Sequence, residues 1–176
     1  VGKNSTRHHI NETMRKLILN TEDPEPIIGD RIICLHNEWG RMNLTGDALV
    51  NGLSGNIIDL KYTQENPYMI KTPVISFQPD YDEAGPFEKL EIDYKLLTTH
   101  EPTVTRSNFR SIPKWYHPIQ FDYGYAVTCH KAQGSEYDKV IVLEEFLKGD
   151  SKEDHARWLY TAATRAAKKL IIVRSY

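Results

Sequence analysis

VTCHKAQGSEYDKVIVL, residues 127–143, joins a polar stretch to an apolar one. Val140-Ile141-Val142-Leu143 is an unbroken aliphatic run, the pattern of a strand covered on both faces. Thr128, His130, Lys131, Gln133, Ser135 and Glu136 crowd around Gly134 just before it. A buried strand needs no such lead-in, so these residues either hold a ligand or form a solvated loop. Downstream, Gly149-Asp150-Ser151 offers a helix start, and Ser151-x-x-Asp154 has capping-box chemistry. Residues 170–173 are a second apolar run, and 125–128 are a further strand candidate. Two apolar runs joined by a helix predict a parallel β-α-β unit with cover on both faces.

The rest of the chain has other textures. Asn4-Ser5-Thr6 offers N-cap chemistry for a helix that starts near residue 6 and fades by Asn20. Ile10, Met14, Leu17 and Ile18 give it one apolar stripe. Residues 31–35 and 48–50 read as strands. Asn51-Gly52 marks a tight turn, with 55–60 as the returning strand. Residues 63–118 carry prolines at 67, 73, 79, 86, 102, 113 and 118 between short apolar runs such as 74–77 and 90–97. That predicts a small all-β element with long loops. Asp80, Asp82, Glu83, Glu88 and Glu91 predict a solvated acidic loop. The expected architecture is an α/β domain built from both ends of the chain around a small β insertion.

Composition narrows the classes. The chain has 176 residues, 40% hydrophobic and 26% charged, with a net charge of −2, so no bulk basic character marks a nucleic-acid binder. Cys34 and Cys129 fit neither a metal spacing nor a disulfide scaffold, and a reducing, cytoplasmic setting is expected. No apolar run approaches the roughly 20 residues of a membrane span, and no secretory signal opens the chain. The chain opens on Val1-Gly2-Lys3 without a methionine, as expected of a piece of something longer. His8, His9, His100, His117 and His155 are scattered, so no metal site is expected. Trp39, Tyr62, Trp115 and Tyr116 offer rings that stack on bases, although core or surface packing is the expected role.

On the last helix, Ala156, Leu159, Tyr160, Ala163 and Ala167 share a face predicted to meet the sheet. Arg157, Thr161, Thr164, Arg165 and Lys168 share another, either a solvated face or an anion site. Small residues flank Arg165 in Thr161-Ala162-Ala163-Thr164-Arg165-Ala166. Its guanidinium is therefore uncrowded and able to reach a phosphate in bidentate fashion.

Residues 126–136, AVTCHKAQGSE, resemble motif V of superfamily 1 helicases of the RecD and Dda kind. Residues 158–166, WLYTAATRA, resemble their motif VI. Thr6-Arg7, Asn11 and Arg15 resemble motif IV. Gly29-Asp30-Arg31-Ile32-Ile33, Asn37 and Asn51-Gly52-x-x-Gly55 resemble the entry to an inserted SH3-like module. The resemblance implies a RecA-like, P-loop-type parallel sheet with helices on both faces. Residues 1–28 and 119–176 would form this second RecA-like helicase domain, and 29–118 the SH3-like β module. A Walker A motif is absent, Gly2-Lys3-Asn4-Ser5 being a decoy at the motif IV position, and so is a Walker B pair. ATP and Mg2+ would be held mainly by an N-terminal RecA-like domain of the same protein.

The same resemblance implies the residue roles. Arg165 is the expected arginine finger and Arg7 a second phosphate contact. Gly134, Glu136 and Gln133 are expected at the nucleotide. Glu136 matches the acid that accepts hydrogen bonds from the nucleotide sugar in relatives. Thr128, His130 and Lys131 are expected on the backbone of single-stranded DNA. The implied activity is ATP-driven translocation and duplex unwinding, with this chain alone inactive. Recombination or replication proteins are further expected partners. Two alternatives stand beside it: a nucleic-acid-binding or interaction module with vestigial motifs, and an RNA helicase.

Overall fold

A computed structural model of the chain describes residues 1–62, 72–81, 83–146 and 149–174. Pro67 and Asp82 lie outside the described residues. The fold is mixed α/β and divides into two compact units, Val1–Met14 with Tyr125–Tyr176, and Arg15–Gly124. The division falls inside the first helix and just after a strand. The helix α1 (Asn4–Leu19) runs on unbroken through Met14, and residues 121–123 are a strand of the other unit's sheet.

The unit Arg15–Gly124 is built on an antiparallel sheet. Its elements are β1 (Arg31–Cys34), β2 (Glu38–Met42), β3 (Ala48–Leu49), β4 (Ser54–Tyr62), β5 (Pro73–Pro79), β6 (Phe87–Glu91), α2 (Tyr94–Thr99) and β7 (Phe121–Tyr123). Five strands lie in the order β6-β5-β4-β1-β7. Buried positions alternate along β5, where Ile75 and Phe77 point inward. Phe77 packs against Phe87 and Phe121, ring centroids 6.1 and 5.2 Å away, at the centre of the core. Gly55 faces the β5 backbone so closely that a Cβ there would lie 2.0 Å from the Gln78 carbonyl oxygen.

Two expectations for this unit change. Gly52 does turn, at φ +85°, but the flanking strands are not a hairpin pair. β3 pairs with β2, while β4 pairs with β1 and β5. The cause lies in β1, whose Cys34 bonds the backbone of both Gly52 and Leu53 (2.8 and 2.9 Å) and captures the chain after the turn. The all-β expectation also fails, because the apolar run 90–97 breaks at Asp93. Its carboxylate accepts the Leu96 amide at 3.2 Å and caps α2. Of the acidic stretch, Glu88 and Glu91 belong to β6, and Asp80 pairs with Arg31.

In the other unit, β8 (Tyr137–Glu144), α3 (Lys152–Ala163) and β9 (Ala166–Arg174) form the β-α-β unit, with β8 and β9 parallel. The capping box is present: Asp154 N–H donates to the Ser151 hydroxyl at 3.1 Å and Ser151 N–H to the Asp154 carboxylate at 3.3 Å. Residues 125–128 are not a strand. Their backbone is engaged by Val1, which donates to the Val127 carbonyl and accepts from the Cys129 amide. Cover on both faces is not reached either. Cys129, Val142, Trp158 and Ala162 form a small core, whereas Ile141 and 170–173 stay exposed. The small core under α3 shields only a few residues of the β8-β9 pair.

The two helices correct the amphipathic readings. α1 buries Arg7, Asn11 and Arg15, spaced i, i+4, i+8, and exposes Leu17 and Ile18. Distant partners make this possible. Arg15 meets Asp30 in a bidentate pair (2.7 and 2.9 Å), and the Ala126 amide donates to Asn11 at 2.7 Å. α3 buries His155, Trp158 and Ala162, while Tyr160 is exposed. His155 can be buried because its Nε2 lies 2.9 Å from Glu144. The helix ends at Ala163, so Ala167 and Lys168 belong to β9. The expected cationic stripe therefore does not exist as one face: Arg157 pairs with Glu153 and Lys168 with Asp138.

Candidate functional site

The segment before β8 folds into successive turns. The Ala132 amide donates to the Thr128 carbonyl at 3.0 Å, Gln133 to His130 at 3.3 Å, and Ser135 to Ala132 at 3.1 Å. Thr128, Cys129 and Ala132 face inward and fix the segment, whereas His130, Gln133, Gly134 and Glu136 are exposed and Lys131 is half-buried. Gly134 takes φ +84°, a conformation side chains resist, and a Cβ there would meet no atom within 4 Å. The turn is thus open to solvent with its backbone accessible. Burial pushes the Cys129 thiol above its ordinary value, which keeps it a neutral packing group.

Arg165 follows α3 and reaches back to this segment. Its guanidinium donates to the carbonyls of Ser135 and Thr161 (both 3.1 Å) and to the Thr164 hydroxyl (3.2 Å). Its own carbonyl accepts from the Tyr137 amide at 2.9 Å. Every one of these partners is neutral. Among the described residues no carboxylate pairs with Arg165, so its charge is held in place but not neutralised. A phosphate oxygen is the natural complement of such a group. The structure thereby brings together Arg165 and the Gln133–Glu136 turn, two of the predicted sets.

Arg7 sits elsewhere in the same unit. It is 5% exposed, with Nη2 at 3.0 Å from the His8 ring. Thr128 is also buried, so an inward hydroxyl, rather than a strand-end donor, stands at that position. Sequence reading missed Glu145. Its carboxylate accepts the Gly2 amide at 2.6 Å, the Lys3 amide at 3.2 Å and the Thr6 hydroxyl, and so ties the start of α1 to the end of β8. Burial pushes this carboxyl up, but the Thr6, Gly2 and Lys3 hydrogen bonds outweigh it and hold it below its ordinary value. The paired acids Glu144-Glu145 after an apolar strand were the available signal. Glu144 is likewise held down by its hydrogen bond from His155.

Comparison with known proteins supplies the context. Residues 123–173 match the UvrD-like helicase C-terminal domain. The chain is similar to the uncharacterized protein MJ1519 of Methanocaldococcus jannaschii, 35% identical over 71 residues, which is 40% of this chain and 6% of that protein. It is also similar to the uncharacterized protein R530 of Acanthamoeba polyphaga mimivirus, 36% identical over 52 residues, 29% of this chain and 10% of that one. Among solved structures, Pif1 helicase from Candida albicans superposes with a TM-score of 0.51 at 17% identity. That match covers 98% of this chain and 44% of the Pif1 chain, a likeness of fold. The chain thus spans a small part of its curated relatives and less than half of the solved helicase.

Proposed function

We propose that this chain, a superfamily 1 helicase C-terminal region, is the arginine-bearing half of an ATP-dependent DNA motor of the RecD and Dda kind. The observation that carries the reading is Arg165, fixed by neutral acceptors beside an open glycine turn, with no carboxylate pairing with it among the described residues. Phosphoryl transfer depends mainly on positioning and on neutralising charge on the transferred group, and an arginine from a second domain supplies part of that charge. ATP supplies the γ-phosphoryl group, and Mg2+ with the other phosphates belongs to an N-terminal RecA-like domain of the longer protein.

Arg165 would meet the γ-phosphate. Gly134 permits close backbone approach, and Glu136 and Gln133, both exposed beside it, would contact the nucleotide. Arg7 is the second phosphate contact in this reading, and its burial makes it the more demanding assignment. His130 and Lys131, on the same turns as Thr128, would grip the strand backbone without reading sequence. Because 130–136 is one continuous set of turns, contacts at its nucleotide end and its strand end would change together. Residues 29–118 form the SH3-like module of this reading.

The test is Arg165→Ala in the full-length protein. The expected result is a loss of ATPase turnover of about a thousandfold, within the range known for arginine fingers, with strand binding retained. Unchanged hydrolysis would sink the assignment. Unwinding assays on DNA and RNA duplexes with the same protein separate the DNA reading from an RNA one.

A further inference from the structure

Residues 102–121 contain none of the 24 acidic residues of a chain whose net charge is −2. They hold Arg106, Arg110 and Lys114 interleaved with Phe109, Trp115, Tyr116 and His117. All three cations are exposed, and none has a carboxylate partner among the described residues. Trp115 is 79% exposed and Phe109 57%.

These side chains stand on a well-tied loop. At its root, Thr103 donates from both its amide (2.9 Å) and its hydroxyl (2.6 Å) to the Asp93 carboxylate. Asn108 accepts the Thr105 amide at 2.7 Å and donates to the Thr103 carbonyl at 3.0 Å. Pro113 opens a single 3-10 turn, Lys114–Tyr116, closed by the Tyr116 and His117 amides on the Pro113 and Lys114 carbonyls. The His117 ring lies 2.9 Å from the Ile112 carbonyl and 5.0 Å from the Phe109 ring, which folds the two arms together. Trp115 is therefore presented outward from a fixed turn and is not left loose.

We propose that residues 102–118 form a platform for single-stranded nucleic acid, with a base stacked on Trp115 and phosphates met by Arg106, Arg110 and Lys114. A single strand repeats, along its length, the two things this loop offers to bind: flat π-faces and fixed negative charge. An exposed indole and exposed cations on one loop, the cations without a carboxylate partner among the described residues, complement both. The proposal deepens the motor reading by adding a strand contact outside residues 127–137, and it rests on that reading for the strand being a track. Its evidence, however, comes from residues that the helicase motifs do not include.

The test is fluorescence anisotropy of labelled oligothymidylate and oligouridylate titrated with the 176-residue chain at several salt concentrations. Trp115→Ala is expected to weaken binding of both by about tenfold, the scale of one lost base stack, with Trp115→Phe recovering most of it. Arg110→Ala and Lys114→Ala are each expected to lower the log–log salt slope by about 0.7, one phosphate contact apiece. Because the three side chains are exposed, circular dichroism should report an unaltered fold. If Trp115→Ala disturbs it, Trp115→Phe together with Arg110→Ala carries the reading. Wild-type chain that binds neither oligonucleotide, or equal binding by wild type and these variants, overturns the proposal. So does tight binding of polyglutamate lost in the same variants, which would mark an acidic-peptide site. The motor reading is judged separately by ATP turnover of Arg165→Ala, so either can fail alone.

Discussion

Arg15 and Arg165 are the same side chain in opposite settings. Arg15, in the unit Arg15–Gly124, is buried against an equally buried Asp30, stacks its guanidinium 4.2 Å from the Tyr123 ring centroid, and also donates to backbone carbonyls of Asp23 and Glu25. Arg165, in the other unit, has only neutral acceptors among the described residues and stays half-exposed. A buried charge must be compensated on the spot or it costs several kcal/mol. One held at the surface by carbonyls can wait for an anion from elsewhere. The contrast separates an arginine that organises a fold from one that is available for chemistry, and neither residue type nor helical spacing makes that distinction.

The largest effect expected is the thousandfold-scale loss of ATP turnover in full-length Arg165→Ala, with the urea midpoint little changed. A large drop in that midpoint would erase the contrast. Arg15→Ala should do the reverse, destabilising by about 3–5 kcal/mol because it removes the guanidinium that faces the buried Asp30 carboxylate. Chemical denaturation of the 176-residue chain reads this, and adding Asp30→Asn should recover part of the loss. Ser151→Ala removes the reciprocal cap of α3 and should cost about 1 kcal/mol in the same assay.

The smallest effect expected is one of pH. The Glu145 carboxyl is lowered in the folded state from the ordinary value of 4.5. Its stabilisation is therefore fully present above that value and is lost as pH falls through the lower folded-state value. Glu145→Gln should lower stability modestly at neutral pH, converge with the wild type at acid pH where Glu145 is protonated, and so flatten the acid limb of a stability-against-pH curve. An acid limb identical in the two proteins would show that the Thr6 and Gly2 contacts do not bias its titration.

Much of the unit that carries Arg165 was legible in the sequence. An aliphatic run has few other uses than a strand, a Ser-x-x-Asp pair has a defined capping geometry, and Gly134 could be read as a turn. The pairing of residues 126–136 with 158–166 came from motif resemblance and not from periodicity. What escaped reading had partners far away in sequence. The buried face of α1 is polar because Arg15 finds Asp30 and Asn11 finds the Ala126 amide, neither of which a helical wheel contains. The phase of α3 slipped because His155 counts as polar until Glu144 is seen beside it. The Asn51-Gly52 turn was placed correctly, yet its strands were paired wrongly, because β1 competes for the same backbone.

The Arg165 bonds also have a thermodynamic consequence. The guanidinium that would go to a phosphate is the one now bonded to the Ser135 carbonyl, next to Gly134 and Glu136. Any ligand that draws Arg165 away frees that carbonyl and loosens the turn, while the main-chain bond from Tyr137 to Arg165 remains as a tether. Occupancy of the turn and occupancy of the arginine then share one equilibrium. By linkage, the factor by which either ligand alters the affinity for the other must be the same in both directions.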